Sequence, residues 1–292
     1  MELLAQYTIG GLATGTLYAL VALGIVLLYR SSRILNFAHG DLATFATLIA
    51  FTLLTTYHLP FGLAVAGSLA AAALLGITFY LVVLRRAREA TLLGTIVVTL
   101  GLSQVLSGAM VLRWGADTKV FPFPLSDTTV YRVGNLVVSQ LSVGTFLAGL
   151  ILMAGLYLLV QHTKTGLAMR AVSQHLVAAQ VLGIPAKRVF ALTWGLAAAL
   201  GAAAGILIAP AALLDPFMML DPFLKGFAAA VLGGIDSLPG AMVGGLLLGV
   251  AEALFGGYLS IRFKTTLAFL IIIGVLIVRP EGILGREYHR RV

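Results

Sequence analysis

Apolar runs separated by short polar loops take up most of this chain, at about 6–28, 37–56, 61–84, 92–112, 141–161, 189–209, 223–234, 240–256 and 266–278. Crossing a bilayer as a helix takes roughly 20 apolar residues, because each residue rises about 1.5 Å through a hydrocarbon layer about 30 Å thick. The first six runs reach that length, and the last three fall short, as tilted, broken or re-entrant segments do. Inside lipid every backbone N–H and C=O needs an internal partner, which leaves helices as the spanning element. The expected fold is therefore all-α, a polytopic transmembrane bundle of about 8–9 spans with short or broken helices, forming a single domain over residues 1–292. A soluble domain with 60% hydrophobic and 10% charged residues could not hide its apolar surface. The first run has no basic segment before it, so it reads as a span rather than a cleaved signal.

The formal net charge of +8 does not point to nucleic acid, because the cations sit at the ends of apolar runs, where they anchor helices to a membrane. If all nine runs cross, one set of loops holds thirteen basic residues: Arg30, Arg33, Arg85, Arg86, Arg88, Lys164, Arg170, Lys187, Arg188, Arg279, Arg286, Arg290 and Arg291. The other set holds six: Arg113, Lys119, Arg132, Lys225, Arg262 and Lys264. Positive charge stays inside, which predicts an external N-terminus, a cytoplasmic C-terminus and a main external loop at about 113–140.

One polar island interrupts the pattern, HTKTGLAMRAVSQHLVAAQVLGIPAKR at 162–188. It predicts an amphipathic helix over about 165–183, lying at the cytoplasmic surface. Thr165 is a candidate N-cap, and Gly183 followed by Pro185 ends it. Ala168, Val172, Leu176 and Ala179 fall on one stripe, with Arg170, Ser173, Gln174, His175 and Gln180 mostly off it. Such a helix braces its own bundle or docks into a groove on a soluble partner.

Small residues repeat every three or four positions in GGLATG (10–15), GLAAALGAAAG (195–205) and GAMVGGLLLG (240–249), which lets helix backbones approach closely. RILNFAHGDLATFA (33–46) and LGGIDSLPGAMVGG (232–245) each place a polar, glycine-containing break before an apolar helix, as internal repeats of transporters do near a solute path. Asn36, His39 and Asp41 at the first break, and Gly233, Gly234, Asp236 and Gly240 at the second, are the candidate pathway residues. The plainer reading makes Asn36 and Asp41 interfacial caps, and gives Asp215, Asp221 and Asp236, at loop edges near prolines, turn and capping roles. Glu252 lies within a predicted span, where a carboxylate serves a structural hydrogen bond or a gating or ion-binding role.

No P-loop GxxxxGK[ST] is present to cradle ATP, and no HExxH or GxSxG. The five histidines (His39, His58, His162, His175 and His289) are scattered and there is no cysteine, so no metal site and no catalytic residue is expected. Intramembrane charges are sparse for an ion-coupled carrier. The chain reads as a conduit energised from elsewhere.

YRSSRILNFAHGDLATFA, TKTGLAMRAVSQHLVAAQVLGI, RVFALTWGLAAALGAAAGIL, KGFAAAVLGGIDSLPGAMVGGLLLGVAE and IIGVLIVRPEGILG, in that order over nearly the whole chain, resemble the branched-chain amino-acid ABC transporter permeases, of the LivH type. The resemblance implies a non-catalytic inner-membrane permease subunit of a binding-protein-dependent importer. Its partners would be a second homologous permease, two cytoplasmic ATPases that bind ATP and Mg, and an external solute-binding protein; no cofactor belongs to this chain. It makes 165–183 the coupling helix, with Thr165, Gly166, Arg170, Ala171, Val172, Gln174, His175, Ala178, Leu182 and Gly183 facing the ATPase side. The family commonly carries an acidic residue shortly after the RAV block, where this chain has Ser173, Gln174, His175 and Leu176. The implied solutes are branched-chain amino acids or a related small polar molecule. The alternative is an ion-coupled secondary transporter or channel for a small amide, urea or a carboxylate.

Overall fold

The computed structural model describes residues 2–86, 91–260 and 262–285. Arg88, Arg286, His289, Arg290 and Arg291, named above, lie outside those residues. The described elements run α1 (Glu2–Ser32), α2 (His39–Thr55), α3 (Phe61–Val82), α4 (Leu92–Trp114), β1 (Val130–Val133), β2 (Leu136–Ser139), α5 (Gln140–His162), α6 (Lys164–Gln174), α7 (Leu176–Val181), α8 (Ala186–Ala212), α9 (Leu220–Gly233), α10 (Leu238–Tyr258) and α11 (Lys264–Val278).

Six described helices are long and apolar enough to cross a membrane: α1, α3 with the 3₁₀ turn that follows it, α4, α5, α8 and α10. Helices α2, α9 and α11 are shorter, at 17, 14 and 15 residues. The 21-residue α10 corrects the sequence expectation of a short run at 240–256. Ser237 caps it by accepting from Gly240 N at 3.1 Å, and Pro239 sits in its first turn, where no N–H is needed. Conversely, α2 is shorter than its apolar run because Phe37 and Ala38 form the turn that enters it and Thr56 is its C-cap.

The contacts divide the chain into two compact units, residues 1–26, 125–153 and 221–292 in one and 27–124 and 154–220 in the other. In the first unit, α1 crosses α10 through interleaved glycines. A Cβ on Gly245 would collide with the Ala19 backbone and one on Gly249 with Gly15, so the approach of small residues foreseen in the sequence is realised backbone to backbone. In the second unit, α8 is buried along most of its length against α2 and α3. Ala46, Ala72, Ala198 and Ala202 form a small-residue core there, and Ser68 Oγ donates to Ala46 O at 2.5 Å, tying α3 to α2.

The segment expected as a plain external loop also contains an antiparallel hairpin, β1 with β2. Its turn is Gly134 and Asn135, with Gly134 at φ +63°, the conformation a two-residue hairpin turn demands. Gln6 clamps it to α1, its amide donating to Val137 O at 2.5 Å and accepting from Val137 N at 3.0 Å.

Candidate functional site

The polar island folds as two helices rather than one. α6 begins one turn residue earlier than expected, since Thr163 rather than Thr165 caps it, accepting from Gly166 N at 3.1 Å. It stops at His175, whose backbone is extended (φ −153°, ψ 97°), and His175 Nδ1 then accepts from Ala178 N at 3.2 Å to cap α7. The physical reason lies in SQHL at 173–176: a side chain able to cap competes with continuation of the helix. Gly183 ends α7 at φ +82°, with Ile184 N donating to Ala179 O at 2.9 Å, as its position before Pro185 suggested.

Met169, Val172 and Ala179 are buried against Ala186 and Val189 of α8, so this jointed rod rests on the start of that helix. Leu176, placed on the buried stripe from the sequence, is exposed, because the break at His175 rotates α7 relative to α6. Of the ten coupling candidates, Gly166 and Val172 point inward, Arg170 and Ala171 are half-buried, and Thr165, Gln174, His175, Ala178, Leu182 and Gly183 are exposed. A side chain at Gly166 would strike the carbonyls of Leu159 and Val160. Arg170 reaches the same helix end, donating to Gln161 Oε1 at 2.9 Å and Gln161 O at 3.0 Å, and so caps α5 with positive charge. What remains outward is an apolar ridge, Leu167, Val177, Val181 and Leu182, at 59, 62, 81 and 81% exposure.

At the first polar break, Asn36 Oδ1 accepts from Ala38 N at 3.1 Å, and Asn36 O accepts from His39 N at 3.3 Å, shaping the entry to α2. Asp41 accepts from Ser103 at 2.6 Å and Ser107 at 2.9 Å, two hydroxyls one turn apart on α4. His39 lies toward α8, where Gly201 leaves room for its ring. Asn36 and His39 are buried, and among the described residues Asn36 Nδ2, His39 Nδ1 and His39 Nε2 have no hydrogen-bond partner.

At the second break, Gly233 and Gly240 pack backbone to backbone, with no room for a Cβ on either. Gly234 takes φ +108°, and Asp236 lies in the turn that follows. The carbonyls of Leu232 and Gly233 that end α9 accept from Ile283 N at 2.9 Å and Leu284 N at 3.0 Å. The segment after α11 thus caps this break. Glu252 stands apart, nearly four turns along α10, and meets Lys225 of α9 at 2.7 Å. Lys225, counted from the sequence as a loop cation, is instead buried within α9. It also pairs with Asp221 at 2.7 Å and lies 5.6 Å from the Tyr18 ring centre, while Asp221 accepts from Thr265 at 3.1 Å. The spacing of Asp221 and Lys225, four apart, was the readable signal for this cluster. Asp215 forms the expected turn, accepting from Phe217 N at 2.7 Å. Among the described residues, no three His, Asp or Glu side chains gather as a metal site would require.

A multi-pass helical membrane protein with glycine-packed helices, polar helix breaks and a surface-lying jointed rod is built as a transport permease. The chain belongs to the family described as "Branched-chain amino acid transport system / permease component", which it matches over residues 7–278. It is 34% identical to the high-affinity branched-chain amino acid transport system permease protein BraD of Pseudomonas aeruginosa, over 98% of this chain and 97% of that one. It is 33% identical to the LivH permease protein of Escherichia coli, over 98% and 97%. A probable branched-chain amino acid transport permease protein LivH of Methanocaldococcus jannaschii is 29% identical over 96% and 92%.

Proposed function

We propose that residues 1–292 act as one permease domain of a binding-protein-dependent ABC importer in the inner membrane. About 8–9 segments would cross, with the N-terminus outside and the C-terminus in the cytoplasm. A second homologous permease completes the pathway, two cytoplasmic ATPases bind ATP and Mg, and an external binding protein delivers a branched-chain amino acid or a related small polar solute. This chain itself is not a catalyst. ATP-driven closure of the ATPases moves the rod of α6 and α7, α8 follows because Val172 and Ala179 are packed on it, and the bundle alternates between outward and inward access. Asn36, His39, Asp41, Gly233, Gly234, Asp236 and Gly240 shape the helix breaks beside the path, and Glu252 holds its helix through Lys225.

The observation that carries the reading is the outward apolar ridge on a rod whose inner face is already occupied. Val181 and Leu182, four-fifths exposed, are left largely uncovered by the described residues and would fit a groove on a partner. The paired state of Lys225 and Glu252 lowers the case for an ion-coupled carrier, whose coupling acid must be free to exchange its ion. Val181→Asp with Leu182→Asp, in the assembled complex, is expected to lower solute-stimulated ATP hydrolysis at least tenfold while membrane insertion is kept. Unchanged stimulation would remove the coupling role.

A further inference from the structure

A cavity of about 290 Å³ opens where the last residue of α1, the end of α3 with its 3₁₀ turn (Leu84–Arg86), the first turns of α4 and the start of α8 come together, all within the second unit. The orientation proposed above puts these four ends on one side of the membrane, the cytoplasmic one. Arg85 and Lys187 bring two cations, Ser32 and Thr95 bring hydroxyls, and among the described residues no carboxylate lines it. Among the described residues, neither cation has a salt-bridge partner. Tyr80 and Phe190, 6.0 Å apart between ring centres, form an aromatic wall at the same place. Helix α8 begins there without a side-chain cap, so its first amides add positive potential. Cations beside aromatic and aliphatic surface, at the end of membrane-spanning helices, match a ligand whose phosphate meets the charge while its glycerol and chains follow the apolar wall.

We propose that this cavity binds the headgroup of an anionic phospholipid, with Arg85 and Lys187 holding the phosphate. A soluble phosphate ester offers the same anion without the apolar part, so the two sources can be told apart. This site does not rest on the transport reading.

The test uses the full-length chain in lipid nanodiscs, with retained lipid counted by native mass spectrometry. Phosphatidylglycerol is expected to bind in preference to phosphatidylcholine. Arg85→Gln with Lys187→Gln should weaken phosphatidylglycerol binding about 30-fold, at about fivefold per cation. Arg86→Gln, an exposed neighbour outside the cavity, should leave binding unchanged. Glycerol phosphate in solution should not compete. Equal retention of both lipids, or undiminished phosphatidylglycerol binding in the double variant, would overturn the proposal. Competition by glycerol phosphate would overturn the lipid assignment in favour of a free anion. Should the double variant fail to fold, Arg85→Lys with Lys187→Arg keeps both charges and is expected to keep binding, with loss counting against the site.

Discussion

Lys225 and His39 are both buried polar residues, yet the chain treats them in opposite ways. Lys225 sits between Glu252 and Asp221, 2.7 Å from each, and leaves only Glu252 Oε2 without a partner among the described residues. His39 is 1% exposed, and among the described residues neither of its ring nitrogens is met. Asn36 Nδ2, three residues away, is in the same position. An unmet buried polar group costs about 1–3 kcal/mol. A paired cluster reads as a fastening between α9, α10 and, through Thr265, the start of α11. In the pathway role proposed above, the unpaired one is where a polar solute would complete the hydrogen bonds. The difference separates a cluster closed within the bundle from one whose polar atoms find no partner among the described residues.

The largest effect is expected from breaking the fastening. Lys225→Met leaves Glu252 buried without its cation, a loss of about 3–5 kcal/mol, read as a lowered melting temperature in detergent. Adding Glu252→Leu should recover most of that loss, since an apolar pair of similar volume has no charge to strand. A single variant as stable as the wild type would mean the pair holds nothing.

His39→Leu sharpens the contrast from the other side. No side-chain hydrogen bond among the described residues is lost, so stability should change by about 1 kcal/mol or less, while solute uptake in reconstituted vesicles should fall at least tenfold. A melting shift as large as that of Lys225→Met would erase the distinction between the two clusters.

Much of the fold was legible because lipid imposes one rule on every span, and apolar length translates into helix position with little ambiguity. All nine runs appear as helices, and GGLATG and GAMVGGLLLG do meet at close quarters. The misses have local causes. Whether His175 continues a helix or caps the next one depends on whether its imidazole finds Ala178 N, which periodicity does not report. Lys225 looked like a loop cation because residues 213–225 mix prolines, acids and apolar residues, and one of its two partners, Glu252, is 27 positions away. Ser103 and Ser107 were invisible as partners of Asp41 for the same reason: the pairing is made across helices, more than sixty residues apart. The hairpin at 130–139 is short enough to pass for loop, with only Gly134 and Asn135 to mark its turn. The candidate site was thus readable as a set of segments, while the direction each side chain faces was not.

This chain has no cysteine, so a thiol introduced into it is the only one it carries, which makes the most direct measurement simple. With Leu182→Cys in the intact membrane complex and a short thiol-to-amine cross-linker, the account predicts a covalent product with the ATPase subunit, lost when that subunit is omitted. Labelling of the same thiol by a lipid-soluble reagent only, or cross-linking confined to the permease itself, would contradict it.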